Sequence, residues 1–203
     1  QAKGDGTVDV KGKSTYVTIS YNHFFDNGKS SLCGMKSETT DCQITYHHNW
    51  FDHSDSRHPR IRTMSVHIYN NYFDGNAKYG VGTTMGSSAF VEANYFRNVS
   101  KPMMSSGQGS DALGQGTFSG ENGGIIKAYN NHIEGAKAYL TQNNPNATTG
   151  YDAYEVTERS AQVPSSEVTK AGGTSYNNFD TDTSKFDLGV EPANIDAPED
   201  VPA

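Results

Sequence analysis

The segment DSRHPRIR, residues 55–62, places three arginines and one histidine around a single proline. Like charges at this spacing repel one another, so the cluster should either be solvated or meet an anion. One interpretation is a site for an acidic ligand. The alternative is a solvated arginine patch that forms salt bridges to Asp52 and Asp55.

Two other groups of charged residues have types that suit such a site. Asp5 and Asp9 lie four residues apart in DGTVD. Lys11 and Lys29 could meet an anionic ligand. The alternatives are turn or cap roles for the aspartates and surface positions for the lysines.

Histidine, aspartate and serine also occur together in HHNWFDHSD, residues 47–55. These are the residue types of a catalytic triad, but a triad needs a specific three-dimensional arrangement. His47, His48 and His53 fall within or beside a repeated pattern, so we expect them to be structural.

A repeat in the chain indicates what positions these residues. Each copy ends in Asn, one spacer residue, and then Phe or Ile; the copies are VTISYNHF (17–24), ITYHHNWF (44–51), VHIYNNYF (66–73), AFVEANYF (89–96) and IKAYNNHI (126–133), with SYNNF (175–179) as a candidate sixth. Apolar and polar residues alternate before the Asn, which predicts a strand with one buried face. The Asn is expected to adopt left-handed geometry in a sharp turn.

A repeat of about 22 residues made of strands and turns is typical of a parallel β-helix. In such a fold the equivalent asparagines should stack as a ladder, with the aromatic residues stacked beside them. The alternative is a β-sandwich of irregular hairpins, but Asn-Gly turn signals between alternating runs, as in DNGK (26–29), are scarce. We therefore predict an all-β chain, one parallel β-helix domain over residues 1–203, with irregular loops at 105–124 and 140–175.

Charge and composition exclude some function classes. Residues 1–104 carry 11 Lys and Arg against 9 Asp and Glu, and residues 105–203 carry 5 against 14. This balance argues against general nucleic-acid binding, which usually needs a basic domain. The sequence contains no apolar run long enough for a transmembrane helix, so no membrane partner is expected. Cys33 and Cys42 leave a disulfide open.

Four segments, in this order, resemble the pectate lyases of polysaccharide lyase family 1: DGTVDVKG (5–12), VTISYNHFFDNGKSSLCG (17–34), ITYHHNWFDHSDSRHPRIR (44–62) and VHIYNNYFDG (66–75). The R-x-P-x-x-R pattern preceded by HHN is the most specific of these matches. The resemblance implies a right-handed parallel β-helix, which agrees with the repeat. It also implies a calcium-dependent lyase that cleaves polygalacturonate by β-elimination.

The resemblance also implies individual roles. Arg57, the first arginine of the pattern, corresponds to the family's base, and Arg62 to the arginine that contacts the substrate carboxylate. Lys29 matches a lysine that binds the uronate carboxylate, and Lys11 a second substrate-contacting lysine. Asp5 and Asp9 match the first carboxylates of the calcium site.

An arginine base requires a neutral guanidinium, which is rare at ordinary pH. Neighbouring cations disfavour the charged form of a base, so the crowding of Arg57 by Arg60, Arg62 and Lys29 is expected to assist proton removal. Arg60 lies between two functional positions and could point the other way on an extended strand. We expect the rate to rise toward alkaline pH.

Family members carry a substantial segment before DGTVDVKG, so we expect a separate N-terminal piece of the same protein as a partner. Because polymeric pectin cannot enter a cell, a secreted location is expected. Two other functions stay open: a pectin lyase that acts on methylated pectin without calcium, and a non-catalytic carbohydrate-binding β-helix. Neither has an evident need for both the carboxylate pair and Lys29.

Overall fold

A computed structural model describes residues 4–106, 119–147, 150–169 and 173–202, apart from the side chain of Asp5. The described chain winds in successive coils, and each complete coil gives one short strand to each of three parallel sheets. The strands are β1 Asp5–Val10, β2 Val17–Ser20, β3 His23–Phe25, β4 Lys29–Cys33, β5 Gln43–His47, β6 Trp50–Asp52, β7 Arg60–Arg62, β8 Ser65–Tyr69, β9 Tyr72–Asp74, β10 Val81–Thr84, β11 Ser88–Glu92, β12 Tyr95–Arg97, β13 Met103–Ser105, β14 Ile125–Tyr129, β15 His132–Glu134 and β16 Tyr154–Val156.

Every pairing between these strands is parallel, which confirms the predicted parallel β-helix. Sheet I has the order β1-β4-β7-β10-β13, sheet II β16-β14-β11-β8-β5-β2, and sheet III β15-β12-β9-β6-β3. Three short 3₁₀ helices follow at Phe179–Thr181, Pro192–Asn194 and Pro198–Asp200. No helix in the described ranges has the length and apolar character that crossing a membrane requires.

Alternation along the strands builds the core. In sheet II, one row of aligned residues runs through Ile44, Val66, Ala89 and Ile126, all fully buried. Side chains at i and i+2 lie on the same face of a strand, so successive rows alternate between the interior and the outside. Apolar burial of this kind is the main stabilising term of the solenoid.

The predicted asparagine ladder is confirmed. Along it, the side-chain Nδ2–H of each asparagine donates to Oδ1 of the asparagine in the next coil, at 3.0, 2.9, 3.0 and 3.0 Å; the members are Asn22, Asn49, Asn71, Asn94 and Asn131. Inside sheet III, the rings of Phe24, Phe51, Phe73 and Phe96 stack in sequence at centroid distances of 4.9, 5.0 and 4.3 Å.

The left-handed residue of each turn is not the ladder asparagine, so that detail of the prediction is wrong. The residue just before it takes the positive φ, between 47° and 56°; these residues are Tyr21, His48, Asn70, Ala93 and Asn130. The strain therefore falls on a neighbour, and the ladder side chain is free to point along the axis.

The candidate sixth repeat, residues 175–179, does not form a coil. Tyr176 and Phe179 instead belong to a second apolar cluster with Phe90 and Phe186. Asn177 Nδ2 donates to Ser65 Oγ at 2.8 Å, outside the solenoid. The segment therefore matches the repeat in its residue types alone, and it lies on the outer face of sheet II.

The two predicted loop regions differ in what can be said of them. Of 105–124, residues 107–118 lie outside the described ranges. The second region, 140–175, is mostly irregular where described, but it also contains β16, which pairs with β14 and extends sheet II. Both cysteines are buried and free, so no disulfide joins them. Burial raises the pKa of the Cys33 thiol to about 12.

Candidate active site

Sheet I gathers the predicted site residues. Asp5 and Asp9 lie on β1, Lys29 begins β4, and Arg62 ends β7. Asp5 is aligned with Lys29, while Asp9, Leu32 and Arg60 follow one another across β1, β4 and β7. Adjacent strands are about 4.8 Å apart, so Asp9 and Arg60, which lie in one row two strands apart, are separated by about 10 Å.

Arg57 lies just before β7, in a strained backbone conformation. Its φ is 66°, in the left-handed region that non-glycine residues seldom adopt, and the peptide bond between His58 and Pro59 that follows is cis. The Ser31 N–H donates to the Arg57 carbonyl at 2.8 Å, which ties the residue to β4. Backbone strain of this kind clusters at functional sites, where it redirects a side chain.

The guanidinium of Arg57 lies near the hydroxyl of Tyr79, a buried residue of the next coil. Burial raises the pKa of Tyr79 to about 12, although Arg60 and Arg57 act in the opposite direction. The phenol therefore stays neutral through the working range of most enzymes. Arg57 therefore has a neutral group, and not a counter-ion, beside it at this point.

Arg60 and Arg62 point to the same side of β7, with Ile61 buried between them. Both contact one carboxylate, that of Glu121: Arg60 Nη2 donates at 2.9 Å and Arg62 Nε donates at 3.0 Å. The suggestion that Arg60 turns away from Arg62 is therefore wrong. Asp52, one proposed partner of the arginine patch, instead pairs with His23 and His53.

Glu121 is the main acidic group of this cluster. Burial works against its charge, but the guanidinium groups of Arg62 and Arg60 outweigh burial and lower its pKa to about 2. Glu121 therefore stays ionised and offsets part of the positive charge expected around Arg57. The repulsion among the arginines is weaker than their sequence spacing alone suggests.

Asp9 has the features of a cation ligand. Its side chain is exposed, Oδ1 accepts the Leu32 N–H at 3.1 Å, and its carboxylate lies over Gly6, which has a φ of 71°. Within the described ranges Asp9 forms no ion pair. A carboxylate with an open oxygen and no cationic partner fits calcium. The side chain of Asp5 lies outside the described part of the chain.

A different group of potential metal ligands lies on sheet III, where Asp52, His53 and Asp74 bring ligand atoms within 4.8 Å of one another. Other side chains already occupy its carboxylates. Asp74 accepts from Arg97 Nε at 2.9 Å and Nη2 at 2.6 Å, and Asp52 pairs with His53. This group is distinct from the aspartate pair of β1.

The two predicted substrate lysines occupy opposite ends of the β1–β4 pair. Lys29 begins β4 and forms a parallel bridge with Ser56, the residue before Arg57. Lys11 is exposed directly after β1, next to the Gly34 N–H that donates to the Val10 carbonyl at 2.8 Å. Arg62 Nη1 donates to the Gly34 carbonyl at 3.3 Å, so Lys11 lies near the Arg62 end of the sheet.

Sequence reasoning missed Glu121, Tyr79 and Glu38. Glu38 accepts the N–H groups of Met35 and Gly12 at 2.7 and 3.0 Å, and so organises the turn beside Lys11. Burial opposes its charge, yet these backbone donors lower its pKa. Glu38 sits three residues after Met35, which is a recognisable turn signal, whereas Glu121 follows a Gly- and Ser-rich stretch with no periodic pattern.

A family model described as pectate lyase matches residues 1–177, which contain the whole of the candidate site. The chain belongs to the pectate lyase family. Among curated proteins, a pectate trisaccharide-lyase of Bacillus licheniformis is 41% identical over 102 residues, covering 50% of this chain and 30% of that protein. Pectate lyase 3 of Pectobacterium carotovorum is 37% identical over 107 residues, covering 53% and 29%.

Solved pectate lyases also match. Pectate lyase II from Xanthomonas campestris superposes with a TM-score of 0.53 at 33% identity, covering 65% of this chain and 38% of that one. The pectate lyase Bsp165PelA from Bacillus sp. N165, solved in complex with trigalacturonate, gives 0.52 at 33%, covering 64% and 41%. The chain thus spans about 30% of the length of the curated pectate lyases it matches.

Proposed function

We propose that sheet I carries the catalytic face of a calcium-dependent pectate lyase that cleaves de-esterified polygalacturonate. The observation that supports it best is that the Arg57 carbonyl accepts the Ser31 N–H of β4, the strand that Lys29 begins, while Arg62 and the open carboxylate of Asp9 lie on the two strands beside β4. A solvated patch would not need this placement.

In the proposed reaction, Arg57 takes the C5 proton of a galacturonate unit. The electron pair of the C5–H bond forms a double bond between C4 and C5, and the glycosidic oxygen leaves C4 with the pair of that bond. Water is not consumed, and one product carries an unsaturated end. Arg62, Lys29 and Lys11 bind uronate carboxylates and hold the chain in register.

Asp5 and Asp9 are the residues proposed to hold calcium. Calcium, when bound there, would neutralise the uronate carboxylate and so make the C5 proton more acidic. Because the substrate is an extracellular polymer, we propose that the protein acts outside the cell.

The proposed partner at the N-terminal side is a further segment that covers the first coil. β1, β2 and β3 are the edge strands of their sheets, and this coil exposes Tyr16, Tyr21 and Phe25 at 82%, 74% and 64%. Open strand edges with exposed aromatic rings favour association. Sedimentation of the 203-residue chain should show concentration-dependent association; a monomer at every concentration would contradict this proposal.

The activity is tested by following ultraviolet absorbance of the unsaturated product. Polygalacturonate with calcium should give a steady rise that a chelator abolishes, and methylated pectin should react more slowly. A rise that resists chelation and is faster on methylated pectin would instead indicate a pectin lyase. No rise on either polymer would indicate a non-catalytic β-helix.

A further inference from the structure

We propose that Glu121 is a positioning residue of this site, which fixes the guanidinium of Arg62 so that its remaining N–H donors face the carboxylate of a galacturonate unit. The inference rests on the proposed function, because it concerns the same substrate site. It assigns a task to a residue outside the motifs that define that site.

The contacts of Glu121 are those of a fixed clamp. Arg62 Nε donates to both carboxylate oxygens at 3.0 Å, and Arg60 Nη2 donates to one of them at 2.9 Å. The side chains of Glu121, Arg60 and Arg62 are only 18%, 11% and 13% exposed. Ion pairs with this little exposure are screened far less than surface pairs, so they hold their geometry.

The backbone of the Glu121 segment is itself held, in part by residues that directly follow strands of sheet I. Ser106 Oγ donates to the Glu121 carbonyl at 2.7 Å, and the Glu121 N–H donates to Ser119 Oγ at 3.1 Å. The two residues after it accept the N–H groups of Met85 and Gly86 at 2.6 and 2.9 Å. The carboxylate is therefore placed before any ligand arrives, as a positioning group requires.

The donors of Arg62 show what this clamp leaves available. A guanidinium has five N–H donors in a planar fork. Glu121 takes the Nε donor and the Gly34 carbonyl takes one Nη1 donor at 3.3 Å. Within the described ranges Nη2 has no partner, so the outer edge of the fork is left for a carboxylate, the group whose geometry it matches.

A positioning role and a simple counter-ion role predict opposite effects on substrate binding. If Glu121 only offsets charge, its removal makes the site more positive and a polyanionic substrate binds more tightly. If Glu121 positions Arg62, its removal frees the guanidinium to rotate and the substrate binds more weakly.

The test compares Glu121→Gln, which keeps the shape without the charge, with Glu121→Asp, which keeps the charge with a shorter reach. Glu158→Gln is the matched control, because Glu158 is an exposed glutamate outside this cluster. For each variant we would measure the thermal midpoint, kcat and KM on polygalacturonate, and the Kd of trigalacturonate. Glu121→Gln should raise KM and Kd about tenfold, with kcat changed less than about threefold, as loss of one charged hydrogen bond would do.

Glu121→Asp should fall between wild type and Glu121→Gln, and Glu158→Gln should match wild type. Unchanged or lower KM and Kd in folded Glu121→Gln would overturn the inference and leave the proposed function standing. If Glu121→Gln does not fold, wild-type KM and Kd in Glu121→Asp would overturn it. If the wild type binds trigalacturonate without cleaving it, and Glu121→Gln binds it more weakly, the proposed function is wrong and the inference stands. A wild type that does not bind trigalacturonate would overturn the inference.

Discussion

Individual side chains at this site depend on what holds them as much as on their own chemistry. Arg57 has a left-handed backbone and lies beside the Tyr79 hydroxyl, and Arg62 is held by Glu121. Tyr79 and Glu121 come from later coils than the arginines they contact. The R-x-P-x-x-R pattern therefore contains the proposed catalytic and substrate-binding groups but not the residues that contact them.

Arg57→Lys should lower kcat by about 10²- to 10⁴-fold, the usual contribution of a positioned base. Lysine keeps a positive charge, so the Kd of trigalacturonate should change little. Arg97→Lys is the matched control, since Arg97 pairs with Asp74 on sheet III, away from the site. Substantial turnover by Arg57→Lys in the absorbance assay would exclude Arg57 as the base.

The lowered pKa of Glu121 predicts a pH-dependent part of stability. Its pKa falls from an ordinary value of 4.5 to about 2 in the fold, so its stabilising contribution is complete above about pH 4.5 and is lost as the pH falls toward 2. Urea unfolding at pH 6 and pH 3 should show that Glu121→Gln loses less stability on acidification than wild type does. Equal losses in the two proteins would contradict this assignment.

Among the structural elements, the asparagine ladder joins five coils at one corner. Asn71 is fully buried and uses its amide completely, because Nδ2 also donates to the Tyr46 and Tyr69 carbonyls at 3.0 Å while Oδ1 accepts from Asn49. Asn22, at the first coil, is exposed and makes fewer contacts. The interior of the ladder should therefore matter more than its end.

Asn71→Ala should lower the free energy of unfolding by about 1–3 kcal/mol or more, since it leaves buried backbone and side-chain groups unpaired. Asn22→Ala should cost clearly less, because water can replace the lost bonds. Urea denaturation of the two variants makes the comparison. A cost at Asn22 equal to that at Asn71 would mean that burial does not set the strength of the ladder.

For the whole molecule, the C-terminal part acts as a cover fastened to sheet II. Lys127 Nζ donates to Asp180 Oδ2 at 2.6 Å, and both side chains are essentially inaccessible, at 0% and 1%. Arg159 Nε donates to Glu92 Oε2 at 2.8 Å, and Glu92 also contacts His67. Strands of the solenoid and the covering segment therefore share buried charges.

Breaking one partner of this buried pair should be costly. Lys127→Met should lower the free energy of unfolding by about 3–5 kcal/mol, because it leaves the buried Asp180 carboxylate without its cationic partner. The double variant Lys127→Met with Asp180→Leu should lose less stability than the sum of the losses in the two single variants. Lys185→Met is the control, as its pair with Asp182 is exposed to solvent and contributes little to stability. Additive costs in a double-mutant cycle would show that the two residues do not interact.

The sequence allowed the solenoid, its ladder and its aromatic stack to be predicted, because these arise from a local pattern that repeats along the chain. It did not reveal the left-handed residue before each ladder asparagine, since several residue types occupy that position. SYNNF misled because a five-residue match carries no information about which surface the segment packs against. Glu121 could not be found, because its contacts with β7 span 59 and 61 residues and leave no periodic signal.

The ladder also has a direction. Each amide N–H points from an earlier coil to the next, from Asn22 toward Asn131, so the amide dipoles add along the axis and polarise one another. Among the described residues the line therefore ends, at the first coil, with the Asn22 side-chain carbonyl oxygen, an acceptor. Two copies that met first coil to first coil would place acceptor against acceptor. Only a donor-bearing segment, or a copy stacked head to tail, can prolong the line, so this corner gives the solenoid a built-in polarity for assembly.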